Sequence, residues 1–456
     1  MHGASNPPLT MTRLEDRRVD LVWDPALAAW TLFVAGVIVR FLYVFNWYPT
    51  MTLLFSDSKG YFDTAQQFLD PNYTPGIADT IHPPATRWFF GTMLWLGRIV
   101  CPQEPMYVSQ AFQFVMCSLL PLLLCGIGYD LFGRRTALFA LAFASAYYPL
   151  FDYACYVMSE APFTFFMVLS FYLLIRSLKT KGLASTALGL LAGIALGVTA
   201  AFKSVVLPSA FFAFLLLIAV GRLRRFPVSR ALLTASIGLI LVLTPLSIRA
   251  SRLSGHFCLI ANDAARNVLI GHYGEVGSIH FIDKDRGITH VFGCPAAVQK
   301  GHLAQIPVPI GAYENGKCLD LAFKWMKENP WRSLQMSIEH VFDLFYGTLP
   351  WPSNVLYQAK PWVILYSQVF LCLVLIPMVV HLLKHRREIL RLEPAYCGDA
   401  LLLVPLFGIM LAAFIALGEP RYRIPYDGFM LLLASRLFVG RRPGDAQLVP
   451  DAGPGA

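Results

Sequence analysis

The stretch that decides the fold class is Leu183–Val220, LASTALGLLAGIALGVTAAFKSVVLPSAFFAFLLLIAV. It contains two apolar runs, Leu183–Ala201 and Val206–Val220, and a single charged residue, Lys203, lies between them. A helix needs about 20 predominantly apolar residues to cross the hydrocarbon core of a bilayer, and fewer than 18 make a marginal span. The stretch therefore predicts two membrane helices joined by a very short turn.

The composition extends this prediction to the whole chain. Of the 456 residues, 56% are hydrophobic and 14% are charged, and the mean hydropathy is +0.55. An ordinary soluble domain has about 25% charged residues, so this composition excludes a soluble enzyme. The net charge of +9 is compatible with a nucleic-acid partner, but we attribute it to basic cytoplasmic loops. Nine cysteines without a CxxC pair indicate neither a disulfide framework nor a zinc site.

Apolar runs of this kind recur along the chain and predict an all-α polytopic membrane protein with about ten transmembrane helices. Trp88–Val100 is a further apolar piece that suits a re-entrant or interfacial helix. The ten predicted spans are Ala26–Trp47, Met106–Ile127, Ala137–Leu150, Ala161–Ile175, Leu183–Ala201, Val206–Val220, Ala231–Ile248, Val363–Leu383, Ala400–Leu417 and Ile424–Val439.

Basic residues mark every second connection, which predicts that both termini are cytoplasmic and that the protein lies in the plasma (inner) membrane. The division that follows is a cytoplasmic tail (1–25), a membrane module (26–248) with a long first outer loop (48–105), an outer cap (249–361), C-terminal membrane helices (362–440) and a cytoplasmic tail (441–456). The basic residues concerned are Arg13, Arg17, Arg18, Arg134, Arg135, Arg176, Lys179, Lys181, Arg222, Arg224, Arg225, Arg230, Lys384, Arg386, Arg387, Arg391, Arg441 and Arg442.

A few charges lie at membrane depth or on the predicted outer side, where each is costly unless it is paired or used. The cations can snorkel to lipid headgroups, or they can converge on an anionic phosphate, which Arg forks fit well. The second interpretation suits those in short outer turns better, because they oppose the charge bias of the other loops. The cations are Arg40, Lys203, Arg421 and Arg423, and the acidic candidates are Asp57, Asp63 and Glu160.

The first outer loop begins with FSDSKGYFDTAQQFLDP, in which Ser56 can act as the N-cap of a helix. Such a helix places Asp57, Tyr61 and Ala65 on one face. The carboxylate then either points at a ligand or only complements the positive end of the helix. The following IHPPATRWFF starts an apolar helix at a proline pair, with His82 and Arg87 near its start.

These motifs, in this order, resemble the GT-C membrane glycosyltransferases. The resemblance rests on SDSKGYFDTA, HPPATRWFF, YVMSEAPFTFF, GLLAGIALGVTAAFKSVVLPSA, TPLSIRASRLSGHFCLIANDAARNVLIGHYG and GEPRYRIPYDGFMLLLAS. It covers most of Ala26–Leu437 and is greatest for the bacterial glycosyltransferase family 39 branch that includes aminoarabinose transferases. The chain departs from the family pattern at two positions. Many relatives carry two adjacent acidic residues in the first outer loop, whereas Asp57 lies between serines, and many carry Arg after the fifth span, whereas this chain has Lys203.

The resemblance implies an inverting transfer of a sugar from a polyprenyl-phosphate donor to an extracytoplasmic lipid, polysaccharide or protein. It assigns Asp57 as the general base and Lys203, Arg421 and Arg423 as the clamp on the leaving phosphate. Arg40 and Arg87 are weaker candidates for that clamp, and Tyr61 and His82 complete the predicted substrate-binding set. Glu160 is predicted to orient the acceptor or to help hold a divalent cation, Mg or Mn, although no metal is expected to be obligatory.

Two other functions remain open from the sequence. A transporter or flippase of an anionic lipid-linked or small anionic solute also needs cations at membrane depth, but it predicts pseudo-symmetric halves, which the sequence does not display. A non-catalytic envelope assembly protein is the other alternative. Within the enzyme hypothesis, the outer segment between Arg249 and Pro361 is predicted either to cap the cavity and choose the acceptor or to act only as a stabilising lid. Its IHFIDKDRGITHVFG portion has Gly287 and Gly293 as hinges and carries His280 and His290 as polar groups for a polyhydroxyl acceptor.

Overall fold

The computed structural model describes residues 25–47, 56–274, 276–284, 287–293, 297, 300–345, 365, 368–440 and 448. The protein is an all-α polytopic membrane protein with a small sheet, so the predicted fold class is confirmed. Its helices are α1 (Pro25–Leu42), α2 (Ser56–Phe68), α3 (Pro84–Val100), α4 (Tyr107–Phe132), α5 (Arg134–Ala146), α6 (Pro149–Asp152), α7 (Glu160–Lys179), α8 (Gly182–Phe202), α9 (Val206–Leu223), α10 (Ser229–Ser254), α11 (Ala264–His272), α12 (Asn315–Glu328), α13 (Pro330–Phe345), α14 (Ile376–Lys384), α15 (Arg386–Leu390), α16 (Cys397–Ile415), α17 (Pro420–Arg423) and α18 (Asp427–Val439).

Among the described residues, seven helices are long and apolar enough to cross a membrane, rather than the ten predicted. The run Ala137–Leu150 is interrupted because α5 ends at Ala146 and the next residue, Tyr147, is extended (φ −79°, ψ 99°). The run Ile424–Val439 gives only α18, because Pro425 lacks an amide hydrogen and a 3-10 turn separates α17 from α18. The eighth predicted run is described from Gln368 onward and forms a shorter apolar helix, Gln368–Lys384.

The membrane helices are brought together by small residues. A Cβ atom on Gly193 would lie 1.9 Å from the carbonyl oxygen of Ala235, and one on Gly238 would lie 2.2 Å from that of Leu190. Only glycine allows α8 and α10 to approach so closely, which is how membrane helices commonly associate. Helix α8 follows α7 after a two-residue turn and packs along it, so the C-terminal end of α8 lies next to the N-terminal end of α7.

The cap combines helices with a sheet that the sequence did not predict. Strands β1 (Ser278–Asp283), β2 (Ile288–Gly293) and β3 (Gln305–Val308) form a sheet of order β2-β1-β3, in which β1 is antiparallel to β2 and parallel to β3. The sequence is helix-like at Leu319–Glu328 and Ser337–Tyr346. Helices α12 and α13 lie at these two stretches, and the described part of α13 ends at Phe345. Gly287, proposed as a hinge, occupies the turn between β1 and β2 with a positive φ of 63°.

Candidate functional site

The centre of the candidate site is an ion pair between α2 and α17. As predicted, α2 is helical from Ser56, and this places Asp57 in its first turn. The Nη1 atom of Arg421 donates a hydrogen bond of 2.7 Å to Oδ2 of Asp57, and its Nε atom lies 2.7 Å from Oε2 of Glu419. The Asp57 side chain is 39% exposed, so its carboxylate remains accessible to a ligand while Arg421 holds it.

A second ion pair lies beside the first and comes from the close packing of α7 and α8. Nζ of Lys203, just after α8, donates a hydrogen bond of 2.7 Å to Oε1 of Glu160, the first residue of α7. The ring of Tyr422 connects the two pairs, because its centroid lies 5.3 Å from Nζ of Lys203 and 5.2 Å from the Arg421 guanidinium. Both distances fall within cation-π range, so the two cations share one aromatic neighbour.

Tyr61 and His82 complete this side of the site. Tyr61 lies one helical turn after Asp57 and packs its ring edge-on against His82, with centroids 5.7 Å apart. Burial and the negative charges of Asp57 and Glu160 raise the pKa of Tyr61, so the phenol stays protonated. His82 keeps exposed surface, yet the surrounding protein removes much of its hydration, and this, followed by the charge of Arg266, lowers its pKa to about 4. His82 is therefore neutral at pH 7.

Arg266 is a cation that the sequence analysis did not select. It lies on α11 in the cap, is 3% exposed and stacks over the ring of Phe292 at 4.0 Å. Among the described residues, its Nε and one Nη atom are buried without a hydrogen-bond partner. Its positive charge interacts electrostatically with the carboxylates of Asp263 and Asp57 and with the His82 ring. Unpaired donors on a buried guanidinium are costly, so this side of Arg266 is suited to an anionic ligand.

The charges around Asp57 determine its protonation state. Burial raises its pKa, but the charge and hydrogen bond of Arg421, together with the charge of Lys203, lower it below its ordinary value. Glu419 differs, because burial raises its pKa and Arg421 offsets that effect only in part. Asp57 is thus the ionised carboxylate that is partly accessible, and Glu419 is the buried one that holds Arg421 from the other side.

Four other predicted residues lie away from this group. Arg40 is fully buried and donates a hydrogen bond of 2.9 Å to the carbonyl of Ala144 on α5. Arg87 pairs with Asp79 and stacks over Tyr73. The Nε atom of Arg423 lies 2.9 Å from Asp427, and its Nη1 atom donates a hydrogen bond of 2.9 Å to the carbonyl of Leu344. Asp63 pairs with Lys59 at 2.6 Å.

The carboxylates are arranged for cations of the protein rather than for a metal. No group of three or more His, Cys, Asp or Glu side chains that could hold a metal ion is present in the described part of the chain. Asp57 and Glu419 both contact Arg421, and Glu160 contacts Lys203. In this arrangement each carboxylate already has a cation of the protein as its partner, so these residues do not fit the divalent cation considered from the sequence.

Glu419, Tyr422 and Arg266 were missed by the sequence analysis, and His290 was named only as a polar group of the segment predicted to choose the acceptor. Glu419 lies two residues before Arg421 and Tyr422 directly after it, so a search for polar neighbours of an unusual cation would have found both. Nothing in the sequence placed Arg266 and His290 beside Arg421, since both lie in a polar outer segment where a single charge is ordinary. Their proximity depends on how the sheet and α11 pack, and His290, like Arg266, has a buried nitrogen without a hydrogen-bond partner.

Comparisons with known proteins agree with this fold. Residues 81–248 match the model of the dolichyl-phosphate-mannose-protein mannosyltransferase family. The oligosaccharyltransferase of Archaeoglobus fulgidus in its apo form is similar with a TM-score of 0.50 and 10% identity over 89% of this chain and 50% of that one. The same organism's AglB, in complex with an inhibitory peptide and a dolichol-phosphate, gives a TM-score of 0.50 and 11% identity over 91% of this chain and 50% of that one.

ArnT from Cupriavidus metallidurans bound to undecaprenyl phosphate gives a TM-score of 0.48 and 12% identity over 91% of this chain and 60% of that one. No curated protein matches the chain. The chain spans about half the length of the oligosaccharyltransferases. The chain thus matches a mannosyltransferase family model over residues 81–248, and its fold is similar to that of the archaeal oligosaccharyltransferases.

Proposed function

We propose that the protein transfers a sugar from a polyprenyl-phosphate donor to a hydroxyl-bearing acceptor at the outer face of the membrane, with inversion at the anomeric carbon. The observation that carries this proposal is one accessible, ionised carboxylate, Asp57, held among Arg421, Lys203 and Arg266. Such a site contains both groups that the reaction requires, which are a base and cations for a leaving phosphate.

In the reaction, Asp57 accepts the proton of the acceptor hydroxyl while the hydroxyl oxygen forms a bond to the anomeric carbon. The bond between that carbon and the phosphate oxygen breaks, and the phosphate keeps the electron pair. Arg421 and Lys203 already hold carboxylates at 2.7 Å, so their donors are positioned at a distance that also suits phosphate oxygens. Arg266 offers unpaired donors from the cap side.

The family match and one of the related structures support a lipid-phosphate donor. The matched family is named for dolichyl-phosphate-mannose, and the AglB structure contains a dolichol-phosphate. The gathering of these cations at one end of the helices also favours an enzyme over a transporter, since alternating access requires a site that opens to both sides. We further propose that the acceptor is chosen by the β1–β2 hairpin, whose His290 lies near Arg266 and His82.

The proposal is tested first by binding and then by products. Purified protein in detergent is titrated with undecaprenyl phosphate and with dolichyl phosphate, and surface glycolipids, polysaccharides and glycoproteins of cells with and without the chain are compared by mass spectrometry. We expect saturable binding of at least one polyprenyl phosphate and one glycan that is lost without the chain. Absence of both results would refute the function. Binding together with transbilayer movement of the lipid, and no change in any glycan, would favour a flippase.

A further inference from the structure

Helix α13 exposes an apolar stripe although it belongs to the polar cap. Trp331, Leu334, Ile338 and Phe342 follow one another at helical spacing, and the two aromatic residues are 77% and 65% exposed. The opposite face, which includes Met336, His340 and Leu344, is buried against the protein. The stripe is thus a second apolar face in addition to the one that holds the helix in place.

The flank of α13 between these two faces is charged. Arg332 pairs with Glu339 at 2.7 Å, and Lys300 contacts Glu339 at 3.0 Å and Asp343 at 3.2 Å. An apolar stripe bordered by a charged flank is the pattern of a helix that lies in the plane of a membrane surface. A helix that only covered the protein core would need one apolar face, not two.

The position of α13 identifies the membrane as the occupant of the stripe. The helix packs against the C-terminal end of the membrane span α16, where the backbone of His340 adjoins Gly418 so closely that a Cβ atom there would lie 1.7 Å from the His340 carbonyl oxygen. Toward this end, α16 itself exposes the apolar side chains of Phe407, Phe414 and Ile415. The stripe therefore lies beside the exposed apolar surface of a helix that is long and apolar enough to cross a membrane.

Helix α12 of the same cap provides the contrast. Its exposed residues include Lys317, Asp320, Lys324 and Lys327, and Phe323 is its exposed large apolar residue. Other exposed apolar residues of the cap lie singly on α12, on β2 or in loops, namely Phe257, Leu259, Val291, Leu303 and Phe323. Helix α13 differs from α12 because four such residues share one of its faces, and α13 is the helix that adjoins a membrane span.

We infer that α13 inserts its stripe into the outer surface of the bilayer, and that its partner is the lipid itself. Aromatic residues such as Trp331 suit the interface between headgroups and acyl chains. The insertion would hold the cap at the membrane surface next to the candidate site, because Leu344 of α13 accepts a hydrogen bond from Arg423, two residues after Arg421. This inference rests on the membrane spans and not on the proposed reaction.

The experiment is photo-crosslinking of the full chain in nanodiscs of phosphatidylethanolamine and phosphatidylglycerol. p-Benzoylphenylalanine replaces Phe342 or Leu334 on the stripe, and Lys324 on α12 as the matched control. Lipid adducts are counted by mass spectrometry, using only monodisperse protein. Because the control position is in water, we expect about fivefold or more lipid adduct at both stripe positions than at the control.

Two results would overturn the inference. Equal lipid adducts at the stripe and at the control would mean that α13 does not enter the bilayer. Adducts from position 342 to another segment of the chain, or to a second copy, without lipid would mean that protein covers the stripe. Since two stripe positions are tested, misfolding of one variant does not remove the test.

Discussion

The replacement of Asp57 by Asn tests the proposed base most directly. Asn keeps the shape of the side chain and one acceptor oxygen for the 2.7 Å hydrogen bond from Arg421, and Glu419 still holds the Nε atom of that arginine. Because Asp57 is 39% exposed, solvent screens its pair with Arg421, and we expect the variant to lose about 1 kcal/mol of folding stability or less. The loss of a positioned base lowers turnover by about 10² to 10⁴.

The two magnitudes separate chemistry from folding. A 10²-fold loss of rate corresponds to about 2.7 kcal/mol of activation free energy, well above the expected change in stability. The assay is the release of polyprenyl phosphate from the lipid-linked sugar that the comparison of cells identifies, with thermal unfolding and polyprenyl-phosphate affinity measured on the same preparation. Asp63→Asn is the matched control, since it makes the same change on the same helix and removes only the exposed pair with Lys59.

The outcome that refutes the reasoning is specific. If Asp57→Asn turns over at a rate within about threefold of the unaltered protein while it folds and binds the donor normally, Asp57 is not the base. An equal loss of rate in Asp63→Asn would show that the helix, not the carboxylate, is responsible. A variant that loses stability as much as rate would place Asp57 in a structural role as the partner of Arg421.

Three further predictions follow from the ion pairs and the histidines. Lys203→Met should destabilise the protein by about 3–5 kcal/mol, because the buried Glu160, which is 1% exposed, would lose its cation. The double variant Glu160→Gln/Lys203→Met should regain most of that stability in denaturation assays but should not regain turnover. Arg266→Gln should weaken undecaprenyl-phosphate binding by about 10-fold or more at nearly unchanged stability. Its control, Arg423→Gln, breaks the buried pair with Asp427, so it should lower stability and leave the affinity of the folded fraction unchanged. Thermal stability should fall as the pH is lowered from 7 to 5, because His82 and His272 bind protons more readily in the unfolded chain than in the folded one. Loss of hydration in the folded protein, followed by the charge of Arg266 for His82 and of His340 for His272, lowers both pKa values to about 4. His272→Gln should therefore have a flatter pH dependence, and an unchanged pH dependence would contradict this prediction.

The membrane architecture could be predicted because it depends on composition and on the lengths of apolar runs. The sequence also placed the start of α2 correctly, since Ser56 and Asp57 are typical of a helix N-terminus. The number of spans could not be predicted as well, because local backbone geometry at Tyr147 and Pro425 shortens two apolar runs. The sheet escaped prediction because β1 and β3 pair in parallel across an intervening hairpin, and such a pairing has no local sequence signal.

The candidate site shows a different limit. Charge placement selected Asp57, Lys203, Glu160 and Arg421, which the fold brings together, but it also selected Arg423, which lies two residues from Arg421 and is held by Asp427 instead. Residues two positions apart in a helical turn do not face the same side, so the spacing of Arg421 and Arg423 does not favour a shared ligand. What sequence cannot supply is which cations already have a carboxylate. Arg423 is paired with Asp427, whereas two buried donors of Arg266 have no partner among the described residues. This difference, rather than position along the chain, is the reason why we propose Arg266 and not Arg423 as a ligand of the phosphate.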